Sequence, residues 1–384
     1  MYRKTLVKVL APLLIIFLSV MFFSGSCESI PEEVIWHGIK VIVEIMDGNP
    51  NDASIALCGS NVYISYCDFY KLNVAQSRDG GATFTIIPVD TTMGAAYTNA
   101  ITALGSNIYV SHQSSEDGKL KFAKSLDGGE TWSVYTGEID PDYITNVRGT
   151  SVAAEDSSVF IGYYRSNTDL YRCILAYSAD NGETWDISEI EVTEYSNGYP
   201  SIAVENGTVY VAYQQESGGT YSLKLAKGTK GAEDYTWEIT EVDSSATNDF
   251  QYLALAVKDG VVFIAYNGMD NNMHVAKGTD PGGGYSFEIS GPLDTAPFNY
   301  IWKDIAISGN NVYISYFTND MKLIKSTDGG DTWPSENITF VDTDGDTGDN
   351  NAIAVQGDVV CLAYFNRDTY DLWFAKSIDN GETW

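Results

Sequence analysis

Short apolar or alternating stretches recur along the chain with polar turns between them, and none shows the spacing of an amphipathic helix. The most regular stretch appears seven times: "NVYISY" (61), "NIYVSH" (107), "SVFIGY" (158), "TVYVAY" (208), "VVFIAY" (261), "NVYISY" (311) and "VVCLAY" (359). Each is β-branched and aromatic and follows a turn containing Gly, Asn or Asp, which predicts a buried strand entered from a hairpin. Measured at Tyr63, Tyr109, Phe160, Tyr210, Phe263, Tyr313 and Cys361, the steps are 46, 51, 50, 53, 50 and 48 residues. A period of about 50 residues lies in the range of propeller blades.

Within each unit the order is constant. A strand such as "SIALC" (54) or "SIAVE" (201) precedes the repeated one. After it come a polar loop, a third strand such as "LKFAKS" (120), a glycine-rich turn and a fourth strand such as "WDISEIEV" (185). Seven units of four antiparallel strands predict an all-β, seven-bladed β-propeller. The seventh unit reaches Trp384 without a fourth strand, whereas "IWHGIKVIVEIMD" (35–47) precedes the first unit and alternates like one. This N-terminal strand is expected to complete the last blade and close the ring, a truncated gene product being the rival reading.

The turn after the third strand carries an octet: "SRDGGATF" (77), "SLDGGETW" (125), "SADNGETW" (178), "STDGGDTW" (326) and "SIDNGETW" (377). Its aspartates (Asp79, Asp127, Asp180, Asp328 and Asp379) can accept backbone N–H bonds, and the glycine can take a positive φ. Five copies in seven units point to a structural role. The octets resemble the Asp boxes, or BNR repeats, of sialidases and related propellers. Blades four and five depart from the pattern at "KGTKGAEDYTW" (227) and "KGTDPGGGYSF" (277). The resemblance covers nearly all of the chain after residue 35 and implies that the boxes lie opposite the ligand-binding face.

That resemblance also implies what a sialidase requires: three arginines for a carboxylate, a Tyr–Glu nucleophile pair and an Asp acid. Ser29 stands where the first arginine belongs, and only Arg78, Arg148, Arg165, Arg172 and Arg367 follow the leader. Arg78 lies inside an Asp box. The family's sialidases have six blades. A sialidase is therefore not expected, and no catalytic set can be read from the sequence. A different glycoside hydrolase would need only two carboxylates at a suitable separation.

Composition narrows the partners. The formal net charge of −30 repels phosphate backbones and argues against nucleic acid. Residues 1–26 read as an export signal, with Arg3, Lys4 and Lys8 before the apolar run Val9–Phe23, which is shorter than the roughly 20 residues of a spanning helix. Ser24-Gly25-Ser26 before Cys27 resembles a lipoprotein box and would make Cys27 an acylation site, with plain secretion or an uncleaved anchor as alternatives. The organisation is then leader 1–26, linker 27–34 and one propeller over 35–384, extracytoplasmic, monomeric and touching membrane only through leader or lipid. Cys58, Cys67, Cys173 and Cys361 lack metal-site spacing and are read as buried free thiols.

The repeated strands end in Tyr66, His112, Tyr163, Tyr213, Tyr266, Tyr316 and Tyr364, which are read as packing between blades. The non-repeated loop aromatics Tyr97, Tyr143, Tyr195, Tyr199, Tyr252, Tyr300 and Trp302 are the ligand candidates, because flat amphipathic rings suit sugar or peptide surfaces. Arg165 and Arg367 join them as the arginines placed to meet a charged ligand. In "DTDGDTGDNN" (342–351), Asp342, Asp344, Asp346 and Asp349 resemble the start of a Ca²⁺ loop. Thr347 and Ile353 stand where an EF-hand has Gly and Glu, and an acidic solvated loop is the other reading. The function expected is non-catalytic recognition of glycans or protein partners, against a glycoside hydrolase or a cell-surface structural or assembly factor.

Overall fold

The computed structural model describes residues 38–43 and 51–384, apart from short stretches at 69, 93, 95–97, 142–145, 167–169, 194–198, 233, 246–249, 251 and 295–301. Seven four-stranded antiparallel sheets succeed one another along the chain. Blade 3 shows the plan: inner strand Asn146–Glu155, then Ser158–Ser166, Tyr171–Ser178 and outer strand Asp186–Thr193. The repeated "VYISY"-type segments form the second strand of every sheet and are buried on both faces. This explains why they read as continuous apolar runs rather than alternating ones. The core lies between blades, in seven clusters that each join neighbouring sheets.

The outer strand of the seventh sheet is Gly38–Val43, antiparallel to Leu372–Ser377, with Gly38 opposite Lys376 and Val41 opposite Trp373. The ring is closed by the N-terminal strand, as expected.

Two further rings of contacts tie each blade to the next. On the Asp-box face, a side chain late in the third strand reaches the following blade's turn. Lys124 Nζ donates to Asn181 O (2.8 Å), Lys325 Nζ to Asn380 O (3.1 Å), Gln76 Nε2 to Gly128 O (2.7 Å) and Lys376 Nζ to Gly80 O (2.8 Å). Lys227 pairs with Asp280 and Lys277 with Asp331 at the fourth and fifth seams. On the other face, the repeated tyrosines donate to a carboxylate of the preceding blade. Tyr163 bonds Asp140 (2.6 Å), Tyr213 Glu191 (2.8 Å), Tyr266 Asp243 (2.9 Å), Tyr316 Asp294 (3.1 Å) and Tyr364 Asp342 (2.9 Å). His112 takes the corresponding place 4.0 Å from Asp90. These rings therefore pack between blades.

In the box of blade 3, Ser178 Oγ donates to Asp180 Oδ1 and accepts from Gly182 N, while Thr184 donates its N–H (2.9 Å) and hydroxyl (2.6 Å) to Asp180. In blade 5, which lacks the Ser-x-Asp start, Asp280 Oδ1 still accepts from the N–H groups of Gly282, Gly283 and Gly284. Cys67, Cys173 and Cys361 are buried free thiols, but Cys58 is in a disulfide whose other half lies outside the described residues. Reading Cys58 as a free thiol is thus corrected. Cys27 and the leader also lie outside the described residues.

Candidate ligand-binding site at the axial mouth

The third strand runs parallel to the inner strand, so the Asp-box turns and the ends of the inner strands share one face. The starts of the inner strands converge on the opposite face, around the axis. Aligning the seven inner strands on Ile55, Ile101, Val152, Ile202, Leu255, Ile305 and Ile353 shows what each blade presents there. Three residues earlier stand Asp52, Thr98, Gly149, Tyr199, Tyr252, Trp302 and Asn350. All seven blades contribute to a cavity of about 150 Å³ at this mouth.

The mouth has two unlike halves. Blades 4 to 6 supply an aromatic arc: the rings of Tyr199 and Tyr252 are stacked with centroids 5.5 Å apart, Tyr252 and Trp302 lie 4.0 Å apart, and Tyr199 and Trp302 lie 6.0 Å apart. Blades 7, 1, 2 and 3 supply Asn350, Asp52, Asn99 and Thr150. Asp52, Tyr252 and Asn350 hold left-handed backbone (φ 46°, 54° and 48°), an uncommon state for residues with a Cβ. Register shifts interrupt the inner strands at Asn51/Ser54 and Asp349/Ala352. Bulges and strained residues at a cavity re-aim side chains and concentrate at functional sites.

The next two positions separate the residues that join blades from one that does not repeat. Ser315 donates to Asn351 (2.7 Å), Thr150 to Ser111 (2.7 Å) and Ser65 to Asn99, each pair joining adjacent blades. On blade 5, Ala265 holds the place of those serines, and facing it on blade 6 is Lys303, where blades 2, 3 and 7 carry Asn99, Thr150 and Asn351 and blades 1, 4 and 5 carry Ala53, Pro200 and Leu253. Lys303 is 6% exposed and lines the cavity. Burial pushes its pKa down to about 7. Asp304 accepts from Ile305 N (2.8 Å) and from Ile353 N of blade 7 (3.0 Å), as Ser54 and Ser201 accept from Ile101 and Leu255. Burial raises its carboxyl to about 6 against those bonds. Burial, helped by the charge of Asp349, also raises Asp52 to about 7.

Of the residues chosen from sequence, Tyr199, Tyr252 and Trp302 come together here, while Tyr97, Tyr143, Tyr195 and Tyr300 lie outside the described residues. Arg165 and Arg367 are not at the mouth. Arg165 Nη1 donates to both oxygens of Asp140 (2.9 and 3.0 Å), and Arg367 pairs with Asp349 (2.9 Å). The cavity lining contains no arginine among the described residues. The aspartates of the acidic loop do not gather into one cluster. Asp342 accepts from Tyr364 and from Asp344 N, Asp349 pairs with Arg367, and the N–H of Asp346 goes to Asp368. Among the described residues no three His, Cys, Asp or Glu side chains are close enough together to hold a metal ion. Asp52, Lys303 and Asp304 escaped the sequence reading. Their signal was a charge at an inner-strand position that other blades fill with neutral residues.

A ring of seven such blades, with Asp boxes on one face and an unlike-sided cavity at the axis of the other, defines an Asp-box propeller with an axial cavity. The sequence matches the BNR repeat-like domain family over residues 98–348, and the chain belongs to that family. No curated protein matches it in sequence. Among solved structures, the polysaccharide lyase Uly1 superposes with a TM-score of 0.60 at 9% identity, covering 94% of each chain. The BP39L lectin from Burkholderia pseudomallei superposes with a TM-score of 0.56 at 11% identity, covering 92% of this chain and 97% of the lectin. The Hadza microbial sialidase Hz136 gives 0.51 at 14% identity, covering 82% and 73%. At these identities the likeness is one of fold.

Proposed function

We propose that this protein is an exported, monomeric recognition propeller that binds a glycan at its axial mouth without cleaving it. The observation that carries the reading is the two-sided cavity. The aromatic arc of Tyr199, Tyr252 and Trp302 suits the apolar face of a sugar ring, and Asn350 and Asp52 opposite it suit hydroxyl groups. A lectin stands among the proteins that share the fold, and the disulfide at Cys58 fits an oxidising compartment. The absence of arginine from the described cavity lining weighs against a carboxylate clamp of the sialidase type.

A glycan array on the purified chain, followed by calorimetry on the best ligand, tests this directly. Trp302→Ala should weaken binding at least tenfold, about 1.4 kcal/mol, with the unfolding midpoint kept. Binding unchanged in that variant would overturn the placement of the site. The glycoside hydrolase reading rests on Asp52 and Asp304 sharing one cavity with raised pKa values. Asp304 is tied to two backbone N–H groups, so Asp52 is the carboxyl such an enzyme would use as acid. Turnover of any member of a chromogenic glycoside panel, lost in Asp52→Asn, would establish that reading instead.

A further inference from the structure

The inner strands end on the Asp-box face, and the residue three places after the aligned position ties one blade to the next there. Glu155 accepts from Asn206 N (2.8 Å) and Gly207 N (2.6 Å), and Glu205 from Asp259 N (2.7 Å) and Gly260 N (2.8 Å). Lys258 Nζ donates to Gly309 O, Ser308 Oγ donates to Gly357 O (2.9 Å), and Gln356 Oε1 accepts from Gly59 N (3.1 Å). In blade 1 this position is Cys58, which is 8% exposed and disulfide-bonded. The chain has five cysteines, of which Cys67, Cys173 and Cys361 are free thiols. That leaves Cys27, outside the described residues.

We propose that Cys58 is bonded to Cys27, and that this bond fastens the ring-closing strand Gly38–Val43. Gly38 lies opposite Lys376, near the Asp-box end of the third strand, so the closing strand starts on the face where Cys58 lies. Strand and sheet spacings put the outer strand of blade 7 roughly 25 Å from the inner strand of blade 1. The eleven residues of chain from Cys27 to Gly38 can extend about 36 Å. The chain already joins the far end of Gly38–Val43 to blade 1, and the bond joins its near end there too. A strand held at both ends stays at high effective concentration beside its partner. The bond forms by exchange with the disulfide of an oxidoreductase in the export compartment. One cysteine thiolate attacks that disulfide, the second attacks the mixed disulfide, and the oxidoreductase leaves as a dithiol. Two electrons and two protons pass from the cysteines to it. A sulfur so bonded cannot also carry a lipid, so the folded chain is not anchored through Cys27.

The test uses the full chain with its leader, exported by a host with an oxidising export compartment, then alkylated without reduction and digested with trypsin. The peptide ending at Lys40 should be joined to peptide 41–71, with fragmentation placing the bridge at Cys58 and not at Cys67. Cys27→Ser should leave Cys58 open to a maleimide in urea and should unfold at least about tenfold faster than wild type. The wild-type map decides the pairing even if that variant does not fold. A lipid on Cys27, free thiols at both positions, or Cys58 joined to a second chain would overturn the proposal. An unchanged unfolding rate in the variant would overturn the fastening role.

Discussion

The glycine at the fifth position of each Asp box is where turn and packing meet, and Gly182→Ala separates them. Gly182 has φ +77°, and a Cβ there would lie 2.3 Å from Cε1 of Phe122 in the preceding blade. Phe122 is fully buried and edge-on to Trp185 at 4.9 Å, so its ring has little room to retreat. Left-handed backbone costs a residue with a Cβ about 1–2 kcal/mol, and overpacking a tight core adds about 1–3 kcal/mol. Reduced freedom of the unfolded chain returns about 0.4–1 kcal/mol. The net destabilisation expected is roughly 2–4 kcal/mol. Gly105→Ala is the control, since Gly105 has φ +61° but nothing within 4 Å of the added Cβ. It carries the backbone term alone, near 1 kcal/mol. Urea unfolding of both variants, followed by tryptophan fluorescence and far-UV circular dichroism, measures the difference. Equal losses in the two variants would refute a close approach between the box and the blade before it.

Two further outcomes concern charge. Lys303→Met should remove a pH dependence of stability, because the folded pKa of about 7 lies below the unfolded value near 10.4. The unfolded chain then binds more protons between those values, so wild-type stability should rise as pH rises from 7 to 10, and chemical denaturation across that window should show a flatter rise in the variant. The Thr131 hydroxyl, with further hydrogen bonds, holds the Asp127 carboxyl down at about 2. A depressed folded value contributes stability present above the unfolded pKa near 3.9 and lost as pH falls towards 2. Asp127→Asn should flatten the fall of the urea midpoint with pH between 4 and 2, and an unchanged slope would count against the box as a source of acid sensitivity.

The blade plan was legible because each unit must bury its second strand on both faces, which writes the same apolar run seven times. The box aspartates and the seam tyrosines were legible for the same reason, since repetition marks what every blade requires. Tyr199, Tyr252 and Trp302 were reachable as aromatics that do not repeat in that way. Arg165 and Arg367 show the limit of that approach. A side chain's position in sequence does not say that Asp140 or Asp349 already holds it. The acidic loop is similar, because alternate aspartates promise a cluster only if their carboxylates converge, and here Asp342 bonds Tyr364 and backbone while Asp349 bonds Arg367. Lys303 and Asp52 required the inner strands to be superposed, since residues about 250 positions apart meet only around an axis.

The pairing of Gly38–Val43 with Leu372–Ser377 bears on the order in which the molecule can assemble. Six of the seven sheets join strands close together in sequence, so each can form from its own hairpins as soon as its unit is available. The seventh cannot take its outer strand until nearly the whole chain is in hand. Non-local pairing slows folding far more than it lowers stability, because loop-closure entropy grows only with the logarithm of length. Before that step the chain is an open arc, with the third strand of blade 7 uncovered and Lys376 without the carbonyl of Gly80 that lies across the seam. Substitutions in Gly38–Val43 should therefore register in the lifetime of that open arc, during which its bare sheet edge can recruit a second chain.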